Sequence, residues 1–342
     1  MNSVFDTLFL PINQGLISAV NTDDSVGIFN AQMHPMLNNF SKSVRVQQNF
    51  KPYADQLKGA GFSVEGMDNF EAKSLDIAFI HAPQNRMEAE ALIAQVALFL
   101  KDGGSFICVA ENKAGGNRLA KLLAKIGLSD VQNISKNKAR VCFGVKNHLD
   151  MDFIQSCIKD GAMRHSSKID HMTQPGIFGW DKVDVGSKIL AGLFEKELTG
   201  RVADFGCGYG YLSVQALQSC DKIRTLYGFD ADIRAVETCR LNCEEIDSTT
   251  VLHHEWVDLM RPAPVKNLDH IIMNPPFHAQ KKADVSIGVA FIKNAHAALA
   301  KNGVLWMVAN AHLPYEAALN DLFLNVEKPF EGKGFKVFMA QK

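Results

Sequence analysis

The chain has 342 residues, 36 Lys and Arg against 37 Asp and Glu, and a formal charge of −1. That length predicts two domains, and the balanced charge excludes a global basic field, so a nucleic-acid partner would need a local patch. Seven cysteines without paired spacing point to a reducing cytoplasm and not to a disulfide framework.

No apolar run approaches the ~18 residues of a membrane span. No Lys or Arg precedes Lys42, so a secretory signal is not expected. Along the first half, residues 25–29 read as a strand, but Asn30-Ala-Gln-Met-His-Pro35 after it holds no glycine. Residues 44–50 alternate as a half-buried strand does, and 75–83 form an apolar strand closing on proline. Helical periodicity over 86–100 stops at Asp102-Gly-Gly104, and 105–110 form another buried strand. A helix over 117–126 has Gly127 as C-cap, and 131–145 split around Lys136-Asn-Lys138 as a hairpin. The first domain is placed at 1–150. Residues 151–173 are polar and read as a solvated linker; contact of Arg164, His165, Lys168 and His171 with RNA phosphates is the lesser reading.

The second domain, 174–342, repeats the first in order. Leu268-Asp-His-Ile-Ile-Met-Asn-Pro-Pro276 parallels Leu75-Asp-Ile-Ala-Phe-Ile-His-Ala-Pro83. Leu299-Ala-Lys-Asn-Gly303 parallels Leu100-Lys-Asp-Gly-Gly104, and Glu331-Gly-Lys-Gly-Phe335 echoes Lys136-Asn-Lys-Ala-Arg140. Three matches in one order argue for two copies of an α/β unit. The early copy lacks a glycine loop and carries His81 in place of Asn274, so it is expected to keep the fold without a cofactor site. In the later copy, Asp184 enters a helix. Strands are expected at 202–204, 225–229, 250–256, 269–273 and 304–308, with an antiparallel pair over 323–340.

Between the first of these strands and its helix stands Asp204-Phe-Gly-Cys-Gly-Tyr-Gly210. Gly206, Gly208 and Gly210, with Cys207 among them, let a ligand press against bare backbone, because glycine has no Cβ and tolerates positive φ. Tyr211 stands where a dinucleotide fingerprint wants its third glycine. Asp204 would repel a pyrophosphate but pair with an ammonium, which favours S-adenosylmethionine over NAD. Asp230, at a strand end, is placed to accept from ribose hydroxyls; a helix N-cap is the competing role, which Asp232 fills better. Asp258 is a candidate acceptor for an adenine amine, or an ordinary loop acid.

Asn274-Pro-Pro-Phe277 is the most specific signal. Pro275 and Pro276 fix φ and remove two donors, leaving the Asn274 side-chain oxygen and the Pro275 carbonyl to hold both hydrogens of a planar amine. Phe277 offers a face on which a flat substrate stacks. His278 reads as a pocket wall. The Cys239/Cys243 pair near His253 and His254 invites a metal reading, but cysteines one turn apart on such a helix read as core, and no metal site is predicted.

The glycine loop with Asn274-Pro-Pro-Phe-His278 resembles the S-adenosylmethionine-dependent amino-methyltransferases. Pro175-Gly-Ile-Phe178, Asp184-Val-Gly-Ser187, Val308-Ala-Asn-Ala-His-Leu-Pro-Tyr315 and Gly334-Phe-Lys-Val337 narrow it to the ribosomal RNA guanine-N2 methyltransferases of the RsmC/RlmG type. Gly179-Trp180 departs from that pattern. The resemblance implies two tandem Rossmann-like domains of the class I methyltransferase fold. The second would have a seven-stranded, mostly parallel sheet with an antiparallel terminal hairpin. It also implies a cofactor contact from Phe178 and methylation of a guanine N2 in 16S rRNA, in the 30S subunit, by a cytoplasmic monomer that binds neither DNA nor membrane. A 23S rRNA target and a protein glutamine amide, which presents the same planar amine, stay open as alternatives.

Overall fold

The structure is a computed structural model that describes residues 3–40, 44–276 and 282–342. The chain divides into two compact units, Met1–Ala162 and Met163–Lys342.

Unit one opens with helices α1 (Ser3–Leu8) and α2 (Leu10–Asn13), then strands β1 (Val26–Phe29) and β2 (Arg45–Gln47). Helix α3 (Lys51–Gly59), β3 (Val64–Glu65), β4 (Leu75–His81), α4 (Arg86–Phe99) and β5 (Leu100–Glu111) follow. Helix α5 (Leu119–Ile126), β6 (Leu128–Lys136), β7 (Ala139–Lys146) and α6 (Met151–Gly161) complete it. Its sheet runs β3-β2-β1-β4-β5-β7-β6, with β7 antiparallel to both neighbours. The central β4 is buried almost throughout, as a parallel strand covered on both faces must be.

Unit two begins with a small hairpin, β8 (Arg164–Ser166) and β9 (His171–Thr173), and helix α7 (Val185–Leu193). Strand β10 (Gly200–Phe205), α8 (Tyr211–Ser219), β11 (Ile223–Asp230), α9 (Ile233–Glu244), β12 (Val251–Trp256) and β13 (Leu268–Met273) come next. Then come α10 (Lys282–Ala298), β14 (Leu299–Asn310), α11 (Glu316–Leu322), β15 (Asn325–Gly332) and β16 (Phe335–Gln341). The sheet order, β12-β11-β10-β13-β14-β16-β15, is that of unit one strand for strand. Even the terminal turns agree: Asn137-Lys138 and Lys333-Gly334 both place two residues in the left-handed region, as the tightest hairpins require.

Register carries the duplication to single residues. Phe29 pairs with Gln47 and Ile80, and Phe205 pairs with Phe229 and Met273. Gln48 therefore corresponds to Asp230, and His81 to Asn274.

The expected linker over 151–173 is corrected. Its first half is α6, capped by Asp150, which accepts from the Phe153 N–H at 2.9 Å and buries Ile154 and Cys157. Its second half is the β8–β9 hairpin. The polar residues that suggested solvent are the outer faces of these elements. Strand β3 and helix α3 were not anticipated; β3 is only two residues long and half-buried on both sides.

Candidate functional site

Three strands of the second sheet end together. The strand order reverses between β10 and β13, which leaves a crevice outside the carboxyl ends. Gly206, Asp230 and Asn274 are the residues that follow, or close, the paired strand ends at Phe205, Phe229 and Met273.

Gly206, Gly208 and Gly210 have φ of 82°, 55° and 95°. Among the described residues, a Cβ on Gly206 or Gly208 would meet nothing nearer than 3.9 Å, while one on Gly210 would lie 2.9 Å from the Cys239 sulfur. Gly210 thus lets α8 seat against α9, and the first two glycines leave the outer side of the loop bare. The N–H groups of Gly206 and Cys207 both donate to the Phe229 carbonyl, at 2.8 and 3.0 Å. Cys207 points inward and is buried.

Asp230 ties the loop down. Its Oδ2 accepts from the Gly208 N–H and its Oδ1 from the Asp232 N–H, both at 2.9 Å. Burial pushes its carboxyl up to about 6, against the lowering effect of those two donors. Asp232 caps α9, accepting from the Arg234 N–H at 3.0 Å, so the cap falls where the sequence put it.

Asp204 departs from expectation. It is 0% exposed, its Oδ2 accepts from the Ser213 hydroxyl at 2.7 Å, and its Oδ1 has no partner among the described residues. Burial first, and the Cys239 thiol second, hold its carboxyl well above the ordinary range. Alternation along β10 turns Asp204 to the same face as Val202, beneath the loop, where it is closed off from solvent. Asp258 forms a turn, Oδ1 accepting from the Met260 N–H at 2.9 Å, with Arg261 Nε at 3.5 Å from Oδ2. A carboxylate so engaged keeps unused lone pairs.

Asn274 is held from behind. Its Nδ2 donates to Asp184 Oδ2 at 3.0 Å and to Ser187 Oγ at 2.8 Å. A carboxylate only accepts, so this partner fixes which end of the amide is nitrogen. The oxygen faces away from those two partners, and no described residue donates to it. The same Asp184 oxygen accepts from the Ser187 N–H at 2.8 Å as the N-cap of α7. Sequence reasoning saw Asp184 only as a helix entry; an acid three residues before a serine was the available signal. Pro275 is buried and Pro276 exposed, and neither has an N–H to offer. Phe277 and His278 lie outside the described residues.

The Phe178 ring is 65% exposed, and its carbonyl oxygen would lie 3.9 Å from a Cβ on Gly208, so residues 175–180 border the loop. Asn242 fastens the hairpin to the same loop. It accepts from the Met172 N–H at 2.7 Å and donates to the carbonyls of Met172 and Tyr209, at 2.9 and 2.7 Å.

Residues 168–339 match the family described as methyltransferase small domain, and residues 20–150 match its N-terminal counterpart. A ribosomal RNA small subunit methyltransferase C from Psychromonas ingrahamii is 26% identical over 95% of this chain and 91% of its own length. The protein of that name from Acinetobacter baumannii is 28% identical, covering 82% of each chain. Among solved structures, a T. thermophilus 16S rRNA N2 G1207 methyltransferase in complex with AdoMet and guanosine aligns with a TM-score of 0.79 and 20% identity. That alignment covers 99% of this chain and 91% of the other, and it shows that the folds are shared.

Proposed function

The chain belongs to the methyltransferase small domain family, and from that premise we propose that it methylates the exocyclic N2 of a guanine in 16S rRNA within the 30S subunit. S-adenosylmethionine is the methyl donor; its sulfonium methyl is the electrophile of the reaction. The bare outer side of Gly206 and Gly208 is a cradle that a Cβ would fill, and the Asp230 carboxylate is placed for ribose hydroxyls. Asp258 and Phe178 border the same end of the sheet. Asp204 acts from below by holding Ser213 at the start of α8.

One observation carries the reading: the nitrogen of Asn274 is pinned by Asp184 and Ser187, so its oxygen is committed as an acceptor. That oxygen and the Pro275 carbonyl take the two hydrogens of the guanine amine, and Phe277 supports the base after it leaves its stack. Holding the amine this way orients a weak nucleophile without a strong base. A near-attack arrangement is worth ~7–11 kcal/mol. Unit one is not expected to bind cofactor, since side chains occupy the ends of its strands. The protein acts as a cytoplasmic monomer.

Two relatives named for the small subunit favour 16S over 23S rRNA. The test is transfer of label from tritiated S-adenosylmethionine to naked 16S rRNA, 30S subunits, 50S subunits and release factor. Label in 30S subunits or 16S rRNA is the expected outcome. Label in 50S alone moves the target to 23S rRNA, and label in protein moves it to a glutamine amide.

A further inference from the structure

Beneath the glycine loop lies a cluster that methyl transfer does not use. Cys239 and Cys243 sit one turn apart on α9, both fully buried, with their sulfurs 4.0 Å apart. His254 of β12 adds a ring nitrogen, and the three ligand atoms all lie within 4.8 Å of one another.

Two observations separate this group from ordinary core. The His254 Nε2 is sealed from solvent and has no hydrogen-bond partner among the described residues, a state that burial penalises when nothing else engages the atom. Two glycines let these groups converge: a Cβ on Gly228 would lie 2.6 Å from the His254 ring and 3.3 Å from the Cys239 sulfur, and one on Gly210 would lie 2.9 Å from the same sulfur.

We propose that Cys239, Cys243 and His254 form a site for a thiolate-binding divalent cation of the zinc class. Tetrahedral bonds of ~2.3 Å put two sulfurs roughly 3.8 Å apart, close to the observed spacing. Binding displaces the thiol protons to solvent, and the thiolates neutralise the ion. The ion ties α9 to β12 beneath the glycine loop. This inference does not depend on which substrate receives the methyl group.

The test uses the full chain, freed of metal by a chelator under reducing conditions and titrated with Co²⁺. Uptake of a single equivalent is expected, with thiolate charge-transfer absorption, intense tetrahedral ligand-field bands and displacement by Zn²⁺. Cys243→Ser and His254→Gln, each checked for folding by circular dichroism, should lose affinity by more than the ~10–100-fold that outer partners carry. Weak octahedral spectra, or a titration identical in wild type and both variants, overturn the site.

Discussion

The two sheets share order and register, yet their carboxyl ends differ in kind. In unit two the first strand leads into glycine, and the loop that follows is bare on its outer side. In unit one Asn30 takes the left-handed turn, with φ 52°, and its Nδ2 donates to the His81 carbonyl at 2.9 Å. Gln48, at the position of Asp230, copies half of its role: its Oε1 accepts from the Phe50 N–H at 2.8 Å, as Asp230 accepts from Asp232. Its other end is a donor, and it goes to the Ala31 carbonyl at 2.6 Å and to Asn30 Oδ1 at 3.3 Å. His81, at the position of Asn274, is half-buried with its Nδ1 sealed from solvent; desolvation lowers the ring to about 4, and it lies edge-on to Phe5 at 5.2 Å. One backbone plan becomes a crevice or a plug according to whether these few side chains leave acceptors open or satisfy one another.

The largest effect that could break this comparison is at Asn274. Asn274→Ala should cut methyl transfer by at least about a hundredfold, in line with the loss of one aligned hydrogen-bonding group at a reacting centre. S-adenosylmethionine affinity by calorimetry should hardly move; retained turnover would remove Asn274 from the mechanism. Next comes Asp184→Ala, which frees the Asn274 amide and uncaps α7. A drop in kcat of about ten- to a hundredfold is expected, equivalent to ~1.4–2.7 kcal/mol of barrier, with a stability cost of ~1 kcal/mol in urea. Loss of stability with kcat intact would mean that Asp184 is a cap and nothing more.

Asp230 should behave as a titrating cofactor ligand. Asp230→Asn should weaken S-adenosylmethionine by about tenfold or more, the weight of a hydrogen bond to a charged group. In the wild type, affinity should fall below about pH 6 as the carboxyl protonates, by roughly tenfold per pH unit. The sign for folding is opposite. A carboxyl raised from 3.8 to about 6 contributes stability that is present at low pH and lost as pH rises through about 6. Asn keeps only one of the two acceptors, so the test is the slope with pH: relative to the Asn variant, cofactor-free wild type should lose stability as pH rises from about 4 to about 6, and melting points that run parallel with pH would argue against this titration.

The smallest effect belongs to the plugged end. Gln48→Ala should cost ~1–3 kcal/mol by orphaning its buried partners and leave cofactor affinity untouched. His81 makes this end sensitive to acid. A ring held near 4 against an ordinary 6.5 contributes stability that is present above 6.5 and lost as pH falls toward 4.

Much of this was legible before any coordinates, because it rests on local chemistry. Glycine at alternate positions, an acid ending a strand and two prolines after an asparagine each carry their own physical reason, and Asp232 caps α9 as its position required. The repeated Leu-Asp strand start also betrayed the duplication. What the sequence hid were relations across distance. Nothing near Asn274 announces that Asp184 holds its amide, since that pair is made only when β13 comes to rest beside α7. Asp204 looked available because a strand end is generally open, but side-chain alternation turned it inward. The Cys239 and Cys243 pair read as core from its one-turn spacing; that His254, and not its neighbour His253, faces the two sulfurs follows only from the packing of α9 on β12. Residues 151–173 read as linker because polar composition cannot distinguish solvent from the outer face of a short helix or hairpin.

The grip of Asn242 on Met172 and Tyr209 has a practical consequence. A fragment cut at 174, where composition suggests the catalytic half begins, would discard the hairpin and leave the Asn242 amide stripped of both its Met172 contacts under Tyr209. Beginning at Met163 preserves that brace, so fragments differing by eleven residues should differ in how well they retain cofactor.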